Sequence, residues 1–317
     1  MKVEPQTGLV KACNGKKGHR KTSPPNDVPF DQSQPIQVLR PDLVLVDYGP
    51  MTLTISAWAD GKPRPVMASL AAVFVLGLLE ELAAVQPLLK TPTGKIKNLK
   101  KCPPLARKAF RSCGAVSTEL TGLAAVAGLT ADEALQEALC QGADRVIVNN
   151  GGDVALITGA TQPVRVGLKT HPEGEVTHYL EISERDHIGG VATSGWSGRS
   201  FSSGVADVVT VWAGDCATAD AAATWIAAQT DVRSGRVFRT PAGELDPESD
   251  VPLLPVTREV GRLTTKEKSV ALENGLAEAE RLVAKGVVRG AVLAVQGEIW
   301  WIGAQGGPEP KPLIPKR

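Results

Sequence analysis

Aromatic residues make up only 4% of this 317-residue sequence, and histidine occurs four times. A core of stacked rings is therefore excluded, and alanine, valine, leucine and glycine must do the packing. The histidines fall at no helical metal-ligand spacing. The five cysteines are odd in number and form no C-x-x-C pair, which argues against a disulfide framework or a structural zinc site. Charge of one sign is also scarce. The net charge is +1, and the lysine cluster "GKIKNLKKC" at 94–102 is local, so no stripe for nucleic acid is present. The longest apolar run, Val66 to Leu79, has 14 residues and ends at Glu80 and Glu81. A bilayer span needs roughly 20, so a buried helix and no membrane contact are expected. The first twenty residues lack a signal-peptide apolar stretch, which gives the expectation of a cytoplasmic chain.

The length is enough for one large domain or two smaller ones, with a substantial core. Residues 1–40 are polar and proline-bearing and are expected to form an extended or partly disordered arm. Residues 41–305 carry mixed strand and helix signals without regular βαβ alternation, which predicts an α+β fold. Residues 306–317 form a proline-rich tail, expected to be loose. "DLVLVDYGPMTLTISAWADG" predicts a strand pair around Gly49-Pro50, and Pro65 opens a helix to about Leu89. A helix is expected to begin near Thr130. "DRVIVNNGGDVALITG" reads as strand, glycine turn, strand.

Three segments carry polar chemistry. In "VNNGGDVAL", Gly151 and Gly152 permit a tight turn, with Asn150 and Asp153 beside it. The alternative is an ordinary hairpin with polar tips. In "GGVATSGWSGRSFSSG", small residues, hydroxyls and Arg199 could cradle an anion; the alternative is a flexible serine loop. In "DCATADAAATWIA", Asp220 sits inside an alanine-rich helix with Thr224 four residues later. Residues i and i+4 share one helix face, so the two offer hard oxygens suited to Mg²⁺. The alternative is that Asp220 is the helix N-cap. Cys216, four residues before Asp220, reads as a buried structural thiol in preference to a reactive one. His187 precedes the glycine-rich loop and is a candidate for acid–base work.

Taken in order, "NNGGD", "ATSG" and "ADAAAT" resemble the ApbE family, the FAD:protein FMN transferases. The chain is similar above all to a small prokaryotic branch of ApbE-like proteins. "DYGP" (47–50), "LAAVAG" (123–128) and "GVATSGWSGRSF" (190–201) carry that closer likeness, which runs from Asp42 to Gly303. The resemblance implies a layered fold with a mainly antiparallel sheet and flanking helices. It also implies Mg²⁺ on Asp220 and Thr224, and FAD or FMN as a partner. Apart from the resemblance, ring hydrolysis could use Ser194 or Thr193 as nucleophile or oxyanion donor, Asp153 as base and His187 in acid–base work. Binding would fall to Asn150, Gly151, Gly152, Gly195, Trp196, Arg199 and Ser200. One departure is plain: between the T-S-G loop and the A-D-x-x-x-T helix the family's H-I-x-D-P-x-T-G segment is replaced by "RSFSSGVADVVTVWAGDC". The readings left open are a magnesium-dependent enzyme acting on a flavin or other small anionic molecule, a metal-independent hydrolase of a cyclic amide or a sulfur-transfer enzyme, and a non-catalytic ligand-binding protein. The small-residue stretch "LAAVAG" is expected to suit a homodimer interface.

Overall fold

The computed structural model describes residues 9–11, 35–159, 162–198 and 200–313. In chain order the strands and helices begin with β1 (Leu9–Lys11), β2 (Ile36–Arg40), β3 (Leu43–Tyr48), β4 (Met51–Ala59) and β5 (Lys62–Pro63). Three helices follow: α1 (Pro65–Leu89), α2 (Pro104–Val116) and α3 (Val126–Cys140). Next come β6 (Arg145–Asn150), β7 (Asp153–Ile157), β8 (Val164–Lys169), β9 (Val176–Ile182), β10 (Gly190–Ser194) and β11 (Val208–Ala213). The remainder is α4 (Cys216–Gln229), β12 (Val237–Pro241), α5 (Ala242–Leu245), β13 (Pro255–Val260), α6 (Thr265–Ala284), β14 (Val288–Val295), β15 (Glu298–Gly303) and β16 (Lys311–Pro312).

The large sheet runs β15-β14-β11-β10-β7-β6-β4-β3-β2, with β5 paired to β4, and every pairing in it is antiparallel. Its two faces are covered differently. On one face Val146, Val148 and Ala155 pack with α1 and α3, while Ala192, Val209 and Val211 pack with α2, α4 and α6. On the other face Ile147, Val154, Leu156 and Trp212 pack on the small sheet β1-β8-β9-β16. The period-2 alternation of β6 explains the split, because successive side chains point to opposite faces. The fold is thus the expected α+β type, layered and mainly antiparallel.

Several elements differ from the sequence reading. β2 lies inside the segment expected to be an arm, and β16 inside the expected tail. α3 begins at Val126 and not near Thr130, because a short 3-10 turn over Gly122–Ala125 leads directly into it. "GVATS" is strand β10, not loop. Its glycines serve packing: a Cβ on Gly190 would stand 2.2 Å from the Cys216 Cα. The helix α1 buries only one face. Val66, Leu70, Val73 and Phe74 are exposed, and by length and apolar character α1 alone among the described helices could cross a membrane. In the "LAAVAG" stretch Ala125 belongs to the core, and Leu123, Ala124 and Val126 pack against it.

Candidate functional site

The polar groups singled out in the sequence gather where the β6–β7 hairpin, the end of β10 and the starts of α3 and α4 meet. Gly151 and Gly152 have φ of +64° and +120°, which makes the two-residue hairpin turn affordable only to glycine. The Gly152 N–H donates to Asn149 Oδ1 at 2.9 Å. The turn therefore places Asn150 and Asp153 opposite each other in register. Both lie on the helix-covered face, two residues along their strands from Val148 and Ala155 respectively. Asn150 Nδ2 donates to the Ala127 carbonyl at 3.0 Å, tying the hairpin to the first turn of α3. The Thr193 N–H donates to Asp153 Oδ1 at 3.3 Å.

Asp220 is not the N-cap of its own helix. Asp215 is, accepting the Thr218 N–H at 2.7 Å. Asp220 instead serves the neighbouring helix, which has no side-chain cap of its own. Its Oδ2 accepts the Gly128 N–H at 2.9 Å, and the Ala127 N–H also bonds to it. These are second- and third-position amides of α3, which an α-helix leaves without partners. The arrangement is reciprocal. Asp132 of α3 accepts the Cys216 N–H at 3.0 Å and the Ala217 N–H at 2.8 Å, the first two amides of α4. Two antiparallel helices thus cap one another with carboxylates. They can approach this closely because Gly128 has no side chain: a Cβ there would lie 2.3 Å from the Cys216 carbonyl oxygen.

Capping does not account for the electrostatics of the corner. Burial pushes the Asp220 carboxyl well above its ordinary range, and the Asp153 charge beside it pushes the same way; Asp132 adds to this, while the two α3 amides oppose it. Asp132 is itself pushed up to about 7, chiefly by burial. The Cys216 thiol is fully buried and raised far above its usual value by burial and by Asp132, Asp153, Asp220 and Asp215. Cys216 is therefore a buried structural residue and a poor nucleophile. Two hydroxyl oxygens are buried without a hydrogen-bond partner: Thr224 Oγ1, one turn along α4 from Asp220, and Ser194 Oγ, on the face of β10 that Ala192 turns toward α4. Such orphaned oxygens are uncommon in native interiors and call for an explanation.

Other candidates fall elsewhere. The Thr193 hydroxyl points to the opposite face and shares a hydrogen bond with Thr210 Oγ1 at 3.0 Å, leaving only its backbone N–H at the corner. His187 has a left-handed backbone (φ 50°) and precedes β10. Seven residues of mostly extended chain, about 20 Å, separate it from Ser194. Gly195 meets packing demands, since a Cβ would stand 2.2 Å from the Asp207 carbonyl. The Trp196 indole donates to Asp207 Oδ1 at 3.3 Å, and Asp207 Oδ2 accepts the Gln296 N–H at 2.5 Å. Asp207, the first acid in the stretch that replaces the family segment, is thus held in structural bonds. Ser200 is exposed, and Arg199 lies outside the described residues. The serine loop is anchored, with the Thr257 N–H donating to the Ser202 carbonyl and the Val205 N–H to the Thr230 carbonyl. Asp132 and the α3 amides are the part of this corner that the sequence reading missed.

Fold and site together define an ApbE-like protein: a layered α+β scaffold whose glycine hairpin, T-S-G strand and A-D-x-x-x-T helix converge. The chain belongs to the family described as "AbpE bacteria", whose profile matches residues 37–301. Among curated relatives, a UPF0280 protein of Methanothrix thermoacetophila is 38% identical over 149 residues, covering 46% of this chain and 61% of that protein. One from Methanospirillum hungatei is 42% identical over 106 residues, covering 32% of this chain and 42% of its own. The matches thus span less than two thirds of either relative. A third, from Methanocella arvoryzae, is 36% identical over 173 residues, with 54% and 68% covered. Of solved structures, the apo flavinyl transferase ApbE of Pseudomonas stutzeri aligns over 85% of this chain and 95% of its own, at 14% identity and a TM-score of 0.42. The apbe protein of Thermotoga maritima aligns over 83% and 97%, at 15% identity and 0.45. Likeness at that level does not bear on activity.

Proposed function

We propose that this corner is the ligand centre of an ApbE-like enzyme that binds a divalent cation and, beside it, a phosphate-bearing small molecule of the flavin type. The observation that carries the reading is the juxtaposition of two carboxylates, Asp153 and Asp220, with the orphaned Thr224 hydroxyl on the same helix face. These are hard oxygens of the kind Mg²⁺ prefers. A cation would offset the burial and the Asp153 charge that push the Asp220 carboxyl up, and would give Thr224 Oγ1 a partner. The residues present therefore fit the metal that the family implies. Asp220 and Thr224 would hold it from α4, with Asp153 contributing charge from β7. When bound, Mg²⁺ would supply neutralisation of phosphate charge.

The chain's own groups complete the account. Asn150 fixes the hairpin against α3. Asp153 is held by the Thr193 N–H. Ser194 presents a hydroxyl with unused hydrogen-bonding capacity. The replaced family segment separates this chain from standard FMN transfer, so the reading extends to cation-assisted binding of a phosphate compound and leaves the transferred group open. A metal-independent hydrolase remains the second reading, favoured by one observation: the Ser194 hydroxyl is buried without a hydrogen-bond partner, next to Thr193, whose N–H meets Asp153.

Titrating FAD and FMN into the full chain with and without Mg²⁺, and assaying AMP release, separates the two. Magnesium-dependent flavin binding that disappears in Asp220→Asn supports the first reading. Flavin-independent ester or amide hydrolysis that survives EDTA supports the second and overturns the first.

A further inference from the structure

We propose that Arg145 and Trp58 form a second ligand site, one that binds an oxyanion, on the opposite face of the large sheet from Asp220. Arg145 opens β6 and stands in register with Trp58 of β4. It shares its strand face with Ile147, which packs toward the small sheet along with Trp58. Five residues of strand, about 17 Å, separate it from Asn150. The two sites are therefore distinct in face and in position, and this proposal stands whether or not the Asp220 corner holds a cation.

Arg145 is only 9% exposed, yet no carboxylate pairs with it among the described residues. Its guanidinium carbon lies 4.8 Å from the Trp58 ring centroid. Its Nη1 donates to Gln162 Oε1 at 3.0 Å. Its Nε is buried with no partner. Burying a guanidinium without a counter-charge is costly, and leaving one N–H unused adds to that cost. Burial alone lowers its pKa from the ordinary arginine value, with no neighbouring charge contributing.

Arg145 and Trp58 line a cleft of about 1980 Å³, together with Thr54, Ser56 and His187. Several acidic groups of the same wall already have partners. Asp42 pairs with Arg40, Asp60 with Arg64 and Glu133 with Lys108. Asp132 and Asp215 accept α4 amides, and Asp144 accepts the Asp60 N–H. Those acids are thus engaged elsewhere, and Arg145 is left without a negative charge. With Nη1 engaged on Gln162 and Nε sealed from solvent, Nη2 is the donor left to meet a carboxylate or phosphate by a charge-assisted hydrogen bond. Trp58 lies against the guanidinium and helps fix its place. The ligand class is a small molecule bearing a carboxylate or a phosphate; His187 lines the same cleft.

The test is calorimetric titration of the full chain with inorganic phosphate and, separately, with acetate. Binding of at least one anion is expected; a fall of at least tenfold in affinity for Arg145→Gln, and a smaller one for Arg145→Lys, supports the site. Asp220→Asn should bind that anion as the unmodified protein does. No binding of either anion, or equal affinity in Arg145→Gln, overturns the proposal. Should Arg145→Gln fail to fold, the ¹⁵N–¹H resonances of Arg145 Nε and the Trp58 indole in the unmodified protein decide: both shift on adding the anion, and fixed positions for both overturn it.

Discussion

Replacing Gly128 by alanine tests the α3–α4 contact on which the candidate site is built. The added Cβ would sit 2.3 Å from the Cys216 carbonyl oxygen, 2.6 Å from its carbon and 2.9 Å from the Ala217 Cα. All three are backbone atoms near the start of α4, so no side chain can swing aside. A normal carbon–oxygen contact requires the helices to part by about 1 Å, and overpacking of this kind costs ~1–3 kcal/mol. Parting the helices also stretches the Gly128 N–H bond to Asp220 and the two bonds from α4 amides to Asp132. Weakening hydrogen bonds of this class adds ~1–2 kcal/mol. The expected loss is therefore about 3 kcal/mol, read as a lower urea midpoint at unchanged slope. Gly77→Ala is the control. It lies within α1 with nothing near its Cβ position, so alanine should stabilise by ~0.5–1 kcal/mol. A Gly128→Ala variant as stable as the unmodified protein would refute the reciprocal capping described above.

Asp132 has its folded-state pKa raised to about 7 from an ordinary 3.8; its stability contribution is present at low pH and falls as pH rises from about 4 to 7, by ~4 kcal/mol at full titration. Asp132→Asn should flatten that segment of the stability–pH curve, and an unaltered slope in urea melts would contradict the assignment. Alkylation with iodoacetamide at neutral pH, followed by peptide mass mapping, should label exposed Cys140 and spare buried Cys216; rapid labelling of Cys216 would reinstate a reactive thiol. Thr224→Val removes an unpartnered buried hydroxyl, so the metal-free protein should be as stable or ~1 kcal/mol more stable, while any stabilisation by added Mg²⁺ should disappear. Equal Mg²⁺-induced shifts in melting temperature would take Thr224 out of the site.

Much of this architecture is written in local chemistry. Gly151-Gly152 between β-branched runs can hardly be anything but a tight hairpin. Pro65 and the alanine-rich segments announce helices that the structure contains. The convergence of Asn150, Asp153, Ser194, Asp220 and Thr224 was accessible only through the ordered family motifs, because each motif alone also has a mundane explanation. What stayed hidden depends on long-range packing. The glycines of "GGVATSG" suggest a loop, yet Gly190 opens an interior strand over which the start of α4 passes within contact distance. Asp132 resembles a first-turn acid of its own helix, but it serves the amides of α4, which lie far away in sequence. Arg145 looks like an ordinary charge at the start of a strand. Only the register with Trp58 and the lack of an acidic neighbour mark it out.

Electron paramagnetic resonance of Mn²⁺, used as a stand-in for Mg²⁺, reports most directly on the proposed ligand centre. One bound Mn²⁺ per chain is expected in the unmodified protein, competed away by Mg²⁺, and lost in Asp220→Asn. Free-ion spectra for the unmodified protein, or the same bound signal in Asp220→Asn, would reduce Asp220 to a helix cap and contradict the account.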